Sequence, residues 1–327
     1  MWEAGEKQVL LQVEAAAITP ADTYLVKRAI FKLEHYPTII SSVPAGIVRA
    51  VGPGVSKVKV GDRIVTSTNI WPSKGNPKFG SQQRYVVADE LEITPIGETL
   101  DFPAAVASSF ATPIQALFHP SMLNMTRPPS TATPAPANGK KILIWGASSA
   151  MGCLAVSHAK HAGYTVIATC SPNNIELLQS LGADHVFDRL DIDNTVQKIR
   201  ALGDIHYFFD PVSKVESLHG IAKALEDENG KLRQTAEIVT LVPSSWLTDL
   251  KLPEGVTTKF LLFRNQAPEN QEFVEWYSGY LESGLKGGWI RGARPTVIGG
   301  LDKVSEGVEM VSNGVSGQRI IIAPWKE

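Results

Sequence analysis

The chain of 327 residues has few cysteines, little excess charge of either sign and no long apolar run. Its two cysteines, Cys153 and Cys170, are too few for a disulfide framework. The 31 Lys+Arg and 33 Asp+Glu residues give a formal net charge of −2, without the basic excess typical of proteins that bind nucleic acids or anionic membranes. We therefore expect no nucleic-acid partner and no membrane partner.

The amino terminus also lacks a recognisable targeting signal. It reads MWEAGEKQ, with neither the basic start nor the apolar core of a secretory signal. No run approaches the roughly 20 apolar residues that span a bilayer. These features predict a cytoplasmic protein, and at about 150 residues per domain the length predicts about two domains.

The first third of the chain has the pattern of a β-rich domain. Its short apolar runs alternate with turn residues, at 9–13, 46–51, 63–65 and 84–87. A helical segment is expected from Phe102 to Phe118. The proline-rich stretch that follows, 127–138, predicts an exposed loop beside a domain boundary, for which a linker without further role is the simplest interpretation.

After this loop, strands and helices alternate. Continuous apolar strands covered by helices indicate a doubly wound parallel sheet, here with strands at 141–145, 165–169, 185–187, 207–209 and 237–241 and helices at 151–161 and 175–181. Residues 297–324 return to β character and are expected to pack onto the first domain. The predicted boundaries are 1–120, a loop at 121–140, a dinucleotide-binding domain at 141–285, and a return to the first domain at 286–327.

The most informative motif is GASSAMG, residues 146–152, directly between a buried strand and a helix. Small residues at such a turn let backbone N–H groups and the positive end of a helix approach a pyrophosphate. The candidate cofactor residues are Gly146, Ser148, Ser149, Ala150 and Met151. Because Ser149 stands where the usual fingerprint has its middle glycine, a tight turn without ligand is the alternative.

The end of the second strand of this domain indicates which dinucleotide binds. NAD-binding versions place an Asp or Glu there for the ribose hydroxyls, whereas this chain has Cys170 to Asn174 without an acid. Ser171 and Asn174 can donate hydrogen bonds to a 2′-phosphate, and Arg189 can add a charged contact. This pattern favours NADP(H), with a solvated surface charge as the alternative interpretation of Arg189.

A metal site is not expected. No cysteine precedes Cys153, and His35 and His119 are isolated, so zinc would lack its usual ligands in the first domain. His158 and His161 share a helix face that is expected to be partly exposed. Cys153 is expected to be a small core residue, and no serine lies in a nucleophile-elbow pattern.

Over essentially its whole length, the chain resembles the zinc-independent medium-chain dehydrogenase/reductases, especially quinone oxidoreductases and fungal trans-acting enoyl reductases of polyketide pathways. The segments that carry the resemblance are 13–24, 45–63, 83–87, 111–117, 142–152, 168–174, 181–188, 300–307 and 315–320. The resemblance implies an α/β fold in which a Rossmann domain accompanies a β-rich, GroES-like catalytic domain that is discontinuous in sequence.

The same resemblance implies roles for further residues. It makes 13–24 a loop that faces cofactor and substrate, with Asp22 as a cofactor contact and Tyr24 as a catalytic residue. Thr112 is expected near the nicotinamide, also as a catalytic residue. The remaining cofactor contacts implied are Leu241, Val242, Val315 and Ser316. The alternative for Tyr24 is a ring that packs against the domain cleft or Trp71.

The chain also departs from the family pattern. It begins near the second expected strand, which predicts an unpaired sheet edge or a truncated sequence. Thr19 replaces a common asparagine, and Val43 stands where an acid is frequent.

These features predict an NADPH-dependent, metal-free reductase that transfers hydride to the β-carbon of an enone or enoyl thioester, or to a quinone. The reaction is expected in a cleft between the domains, and the expected setting is fungal secondary metabolism. The expected partners are this small-molecule substrate and a carrier protein or synthase, in a monomer or homodimer. A non-catalytic NADP-binding scaffold or regulator of the same fold is the alternative. Alcohol oxidation would need a Lewis acid or base that the sequence does not reveal.

Overall fold

A computed structural model describes residues 2–29 and 32–326. The chain divides into two compact units, each discontinuous in sequence. The first unit comprises Met1–Ser109, Leu281–Trp289 and Arg294–Glu327, and the second comprises Phe110–Tyr280 and Ile290–Ala293.

The strands and helices follow one another along the chain as follows. The strands are β1 (Gln8–Ala17), β2 (Pro44–Val51), β3 (Arg63–Thr66), β4 (Tyr85–Asp89), β5 (Ile93–Pro95), β6 (Lys141–Ile144), β7 (Thr165–Cys170), β8 (His185–Asp188), β9 (Tyr207–Asp210), β10 (Ala236–Thr240), β11 (Val256–Phe260), β12 (Arg294–Gly299) and β13 (Gln318–Ile322). The helices are α1 (Pro20–Arg28), α2 (Phe102–Ser108), α3 (Thr112–Phe118), α4 (Ala150–His161), α5 (Ile175–Ser180), α6 (Ile192–Ala201), α7 (Val215–Leu225), α8 (Gln271–Lys286) and α9 (Val304–Asn313).

The sheet of the first unit is built around β1. Its strand order is β12-β13-β1-β2-β3-β5, and β4 pairs with β1 beside this path. β1 is long, and its apolar run is buried on both faces. Its first half pairs with β2 and β4, and its end pairs with β2 and β13. Apolar side chains of β1, β2 and β4, among them Leu11 and Val86, belong to one core cluster of this unit.

The second unit holds a six-stranded sheet in the order β11-β10-β9-β6-β7-β8. All five strand pairs are parallel, as the continuous apolar strands predict. Leu143, Phe208 and Ile238 are buried on this sheet together with Leu218 and Ile221 of α7. Each such side chain contributes roughly 1.5–3 kcal/mol by leaving water. The α/β fold class, a Rossmann-type parallel sheet with a second, β-rich unit, is confirmed.

The helical segment predicted as one element from Phe102 to Phe118 is wrong in detail. The structure has two helices, α2 and α3, separated at residues 109–111. Pro113 lies in the first turn of α3, where it has no N–H to donate to the carbonyl of Ser109 and its ring would clash with that carbonyl, so one continuous helix is not possible and a new helix begins there.

Further elements were not predicted. β11 lacks a continuous apolar run, and α9 lies inside the stretch for which β character was expected. The proline-rich stretch 127–138 has no regular secondary structure, and its backbone bonds to the end of α4, with Ala135 N–H donating to His161 O at 2.9 Å. None of the helices in residues 2–29 and 32–326 combines the length and the apolar character needed to cross a membrane.

Candidate cofactor and catalytic sites

The turn between β6 and α4 is fixed by the end of the neighbouring strand β7. Gly146 has φ 70°, a left-handed conformation that glycine adopts without strain. Its N–H donates to Thr169 Oγ1 at 2.9 Å, and Ala147 N–H donates to Thr169 O at 2.8 Å. The backbone of this turn is therefore held in one conformation at the carboxyl end of the parallel sheet.

Helix α4 begins directly at this turn. Ser149 is its N-cap, and Ser149 Oγ accepts a hydrogen bond from Gly152 N–H at 3.1 Å. A Cβ atom at Gly152 would lie 2.6 Å from Ala147 O, so only glycine allows the helix to pack this closely on the turn. Ser148 is buried, and Ala150 and Met151 are half-buried in the first turn of the helix. The result is a cradle of small residues at the positive end of a twelve-residue helix.

The ends of β7 and β8 bring Ser171 and Arg189 together. Arg189 Nε donates to Ser171 Oγ at 3.2 Å, and Arg189 N–H donates to Cys170 O at 2.8 Å. The guanidinium is exposed, whereas Asn174 is buried. A hydroxyl and a guanidinium thus lie side by side where the sequence predicts the 2′-phosphate.

Asp188 is a neighbour of this pair that the sequence reasoning missed. It lies opposite Cys170 in the parallel register of β7 and β8. Burial and the charge of Asp188 raise the pKa of Cys170 to about 11, against the opposing effect of Arg189. Asp188 Oδ1 accepts from Leu190 N–H at 2.9 Å. The acid directly before Arg189 was the signal, because carboxyl ends of neighbouring parallel strands lie at one edge of a sheet.

Helix α3 and the residue that caps its end carry the polar residues Thr112, Gln115 and His119. Thr112 is its first residue and is half-buried. Gln115 Nε2 donates to Asn265 Oδ1 at 3.1 Å, and the His119 ring is hydrogen-bonded to Asn270 Oδ1 at 3.1 Å. Burial lowers the pKa of His119. Gln115 and His119 therefore anchor the segment after β11, and the i, i+4 spacing of these two polar residues was the signal.

In the first unit, Asp22 and Tyr24 lie on helix α1. The segment expected as a loop is therefore the end of β1 followed by a helix, capped by Thr19. Asp22 is fully buried, and its Oδ2 accepts from Thr19 N–H and from Thr19 Oγ1, both at 2.8 Å. Tyr24 is half-buried, with the Arg28 guanidinium 5.4 Å from the centre of its ring.

The carboxyl group of Asp22 is only partly satisfied. Among the described residues no group hydrogen-bonds to its Oδ1, although Ser41 lies close enough to lower the pKa of Asp22. Burial outweighs these effects and raises the pKa to about 6. Any contact of Asp22 with a cofactor would have to use Oδ1.

The remaining predicted cofactor residues lie in two loops. Val315 is half-buried and Ser316 is exposed, both in the first unit after α9, which packs against α1. Leu241 and Val242, both half-buried, follow β10 in the second unit, where Leu241 N–H donates to Ser213 Oγ at 2.8 Å.

The expectation that His158 and His161 form a partly exposed helix face is wrong. Both rings are buried, because α8 and the proline-rich stretch cover this part of α4. The His158 ring is hydrogen-bonded to Tyr280 Oη at 3.0 Å, and burial lowers the pKa of His158 to about 3. Cys153 is fully buried, as a core residue would be.

Metal-binding side chains do not converge in the described parts of the chain. In residues 2–29 and 32–326 no three His, Cys, Asp or Glu side chains come close enough together to hold a metal ion. Zinc in proteins takes three or four such ligands, so the described residues do not fit a zinc site.

Two family models match the chain. The alcohol dehydrogenase GroES-like domain matches residues 5–98, and the zinc-binding dehydrogenase domain matches residues 150–234. A dehydrogenase of Aspergillus niger, azaJ, is 31% identical over 331 residues, which cover 98% of this chain and 92% of that protein. The chain belongs to the medium-chain dehydrogenase/reductase superfamily. It is thus an oxidoreductase of a family that binds a nicotinamide cofactor.

Other relatives include named reductases. The trans-enoyl reductase tndF of Aspergillus flavipes is 28% identical, with 98% of this chain and 92% of that protein covered. Among solved structures, the quinone oxidoreductase of Pseudomonas syringae pv. Tomato DC3000 is 19% identical with a TM-score of 0.71, covering 99% of this chain and 93% of that one. The CurK enoyl reductase is 17% identical with a TM-score of 0.70, covering 99% and 92%. These two structures share the fold of this chain.

Proposed function

We propose that this medium-chain dehydrogenase/reductase is an NADPH-dependent, metal-free reductase of a conjugated carbonyl compound, an enone or an enoyl thioester. The observation that carries the proposal is the β6–α4 turn, whose fixed backbone and small side chains suit a pyrophosphate. Relatives named trans-enoyl reductases along nearly the whole chain support the class of substrate. A quinone is the second acceptor to test, since a quinone oxidoreductase shares the fold.

The second unit would hold the dinucleotide through residues of three segments. Gly146, Ser148, Ser149, Ala150 and Met151 would surround the pyrophosphate. Arg189 and Ser171, already hydrogen-bonded to each other, would bind the 2′-phosphate, with Asn174 beside them. Leu241 and Val242 would contact the cofactor after β10. An exposed guanidinium next to a hydroxyl supports NADPH over NADH, because a 2′-phosphate accepts charged hydrogen bonds that a 2′-hydroxyl cannot replace.

The bound dinucleotide supplies a hydride from C4 of its nicotinamide. The residues of this chain would bind and orient the acceptor and stabilise the charge that develops on its carbonyl oxygen. Tyr24 is proposed to donate its phenolic hydrogen bond to that oxygen, and Thr112 to lie near the nicotinamide as a second donor. Asp22, Val315 and Ser316 are proposed as contacts from the first unit. No step requires a metal ion.

The predicted context remains part of this proposal. The protein would act in the cytoplasm, as a monomer or homodimer, on a small molecule that is free or held by a carrier protein or synthase. Because the relatives named trans-enoyl reductases come from fungi, fungal secondary metabolism is the proposed setting.

Two measurements test the proposal. Fluorescence titration should give an affinity for NADPH at least about tenfold higher than for NADH, the scale of one or two phosphate contacts. Turnover assays should then show NADPH oxidation with an enoyl thioester, an enone or a quinone. Equal affinities would overturn the assignment to NADPH, and NADPH binding without turnover on the whole panel would favour the non-catalytic alternative.

A further inference from the structure

A buried aspartate at the end of β9 is not used by the proposed function. Asp210 is fully buried and is the last residue of this central strand, which pairs with β6 on one side and β10 on the other. Burial raises the pKa of Asp210 to about 6, against the effect of its hydrogen bonds. The carboxyl group therefore lies in a place where a charge is costly.

The carboxylate of Asp210 accepts three hydrogen bonds from the segment that follows it. Oδ1 accepts from Val212 N–H at 3.0 Å and from Ser213 N–H at 2.9 Å. Oδ2 accepts from Ser217 Oγ at 2.5 Å, in the first turn of α7. The segment 211–214 is thus wrapped around one carboxylate and cannot move without breaking charged hydrogen bonds.

Ser213 is held in a conformation that serine rarely adopts. Its φ of 53° lies in the left-handed region, which costs about 1–2 kcal/mol for a residue with a Cβ atom. In this conformation Ser213 Oγ donates to Asp210 O at 2.8 Å and accepts from Leu241 N–H at 2.8 Å. Ser213 therefore connects Asp210 to the end of β10.

Val212 lies against the β6–α4 turn. A Cβ atom added at Gly146 would lie 2.4 Å from Val212 Cγ2, so the valine fills the space that a side chain at Gly146 would need. The segment that Asp210 fixes therefore contacts the proposed pyrophosphate turn through Val212 and the proposed contact Leu241 through Ser213.

We propose that Asp210 is a positioning residue of the dinucleotide site, which acts through Val212 on the turn at Gly146 and through Ser213 on Leu241. This inference rests on the proposed function, because the two segments that it aligns belong to the proposed cofactor site. Asp210 itself is buried beneath the loop and does not touch the ligand. For the contacts of Oδ1 the shape of the side chain matters more than its charge, since an amide oxygen can accept from the same two backbone N–H groups.

The test compares variants by NADPH affinity, KM for NADPH, kcat and melting temperature. Ser213→Ala removes the acceptor for Leu241 N–H and should raise the Kd and KM for NADPH about tenfold with little change in kcat. Asp210→Ala should raise them further, and Asp210→Asn should restore most of the affinity because its oxygen can replace Oδ1. Val196→Ala, in the core of the same unit on α6, is the control that lowers the melting temperature without changing the Kd.

The outcomes separate three cases. If the Ser213 and Asp210 variants lose thermal stability as Val196→Ala does but bind NADPH like the wild type, Asp210 only supports the fold and the inference is overturned. If Asp210→Ala does not fold, Ser213→Ala and Asp210→Asn still decide the question. A wild-type protein that binds neither NADPH nor NADH would overturn the proposed function itself, and this inference with it.

Discussion

Two buried aspartates, one in each unit, show how similar burial can serve different arrangements. Asp22 on α1 and Asp210 at the end of β9 are both fully buried, and burial raises the pKa of each to about 6. Asp210 uses both oxygens, with three donors from the segment that follows it. Asp22 uses one oxygen for the cap at Thr19, and its Oδ1 has no hydrogen-bond partner among the described residues.

The difference indicates what each region is built for. A completely satisfied carboxylate fixes the backbone around it, which suits a loop that must align two parts of a binding site. A buried acceptor without a hydrogen-bond partner costs about 1–3 kcal/mol, and a functional role of the acceptor is one explanation for such a cost. We therefore interpret the Asp210 loop as the rigid support of the proposed cofactor site and α1 as the more costly, reactive region.

The largest effect is expected when either aspartate is replaced by asparagine, which does not titrate. Because each pKa is raised from 3.8 to about 6, the folded state binds the proton more tightly than the unfolded state, and wild-type stability falls as the pH rises from about 4 to 6. As the pH rises through this window, the unfolding free energy of Asp22→Asn and that of Asp210→Asn should each increase relative to wild type by up to about 3 kcal/mol. Urea denaturation at pH 4 and pH 7 measures the difference.

The two variants should differ at constant pH. The amide nitrogen introduced at position 210 can donate to Ser217 Oγ, whose hydroxyl can turn to Lys214 O at 2.8 Å. At position 22 no described residue is hydrogen-bonded to Oδ1, and the nearby Ser41 hydroxyl donates to Ala17 O, so Asp22→Asn should be less stable than Asp210→Asn by about 1–3 kcal/mol. Equal unfolding free energies of the two variants at pH 7 would contradict the proposed difference between the two regions.

The next effect concerns the chemistry assigned to α1. Tyr24→Phe keeps the ring and removes the hydroxyl, so it should lower kcat about tenfold to a hundredfold with little change in NADPH affinity, the scale of one lost donor. Tyr36→Phe, the same change at an exposed tyrosine of the first unit, should leave kcat unchanged. Unchanged turnover in Tyr24→Phe would transfer the role to Thr112 or to backbone N–H groups, and a loss of affinity alone would make Tyr24 a cofactor contact.

A smaller effect is expected at the proposed 2′-phosphate site of the second unit. Arg189→Ala should reduce the preference for NADPH over NADH by about tenfold, because it removes the charged donor beside Ser171. Asp188→Asn should increase the preference, since it removes the neighbouring negative charge. Arg233→Ala, at another exposed arginine of this unit, is the control. Titrations with both cofactors measure the ratio of the two affinities. An unchanged ratio in Arg189→Ala would show that the guanidinium is a solvated surface charge without a role in cofactor binding.

No effect is expected from metal removal. Asp22 has an oxygen to spare, but the described residues place no cluster of His, Cys, Asp or Glu around it. Treatment with a chelator should therefore leave melting temperature and turnover unchanged, and elemental analysis should find no stoichiometric zinc. One zinc ion per chain would contradict the metal-free proposal and the interpretation of α1.

The sequence predicts the fold better than the environment of single side chains. Apolar runs such as that of β6 and the glycine turn at Gly146 are local signals, so the parallel sheet and the cradle beside it could be anticipated. The break before α3 depends on Pro113, and the burial of His158 depends on Tyr280, a residue of a distant helix. The local sequence pattern around His158 does not predict its contact with Tyr280.

The candidate site was predictable to the same degree. Arg189 and Ser171 were singled out separately, and their hydrogen bond follows from the parallel register of β7 and β8. Asp210 was missed because a single acid at the end of a strand has no pattern, and its role depends on donors from Val212, Ser213 and Ser217. Asp22 was singled out, but not its burial.

The most direct test of the central claim follows the hydride itself. The wild-type protein would be incubated with NADPH carrying deuterium at C4 on each face in turn, and with an α,β-unsaturated thioester. Deuterium is expected at the β-carbon of the saturated product with one of the two labelled cofactors, and a much slower reaction is expected with labelled NADH. A product without deuterium from either labelled NADPH, or no reduced product with any enone, enoyl thioester or quinone, would contradict the proposed hydride transfer.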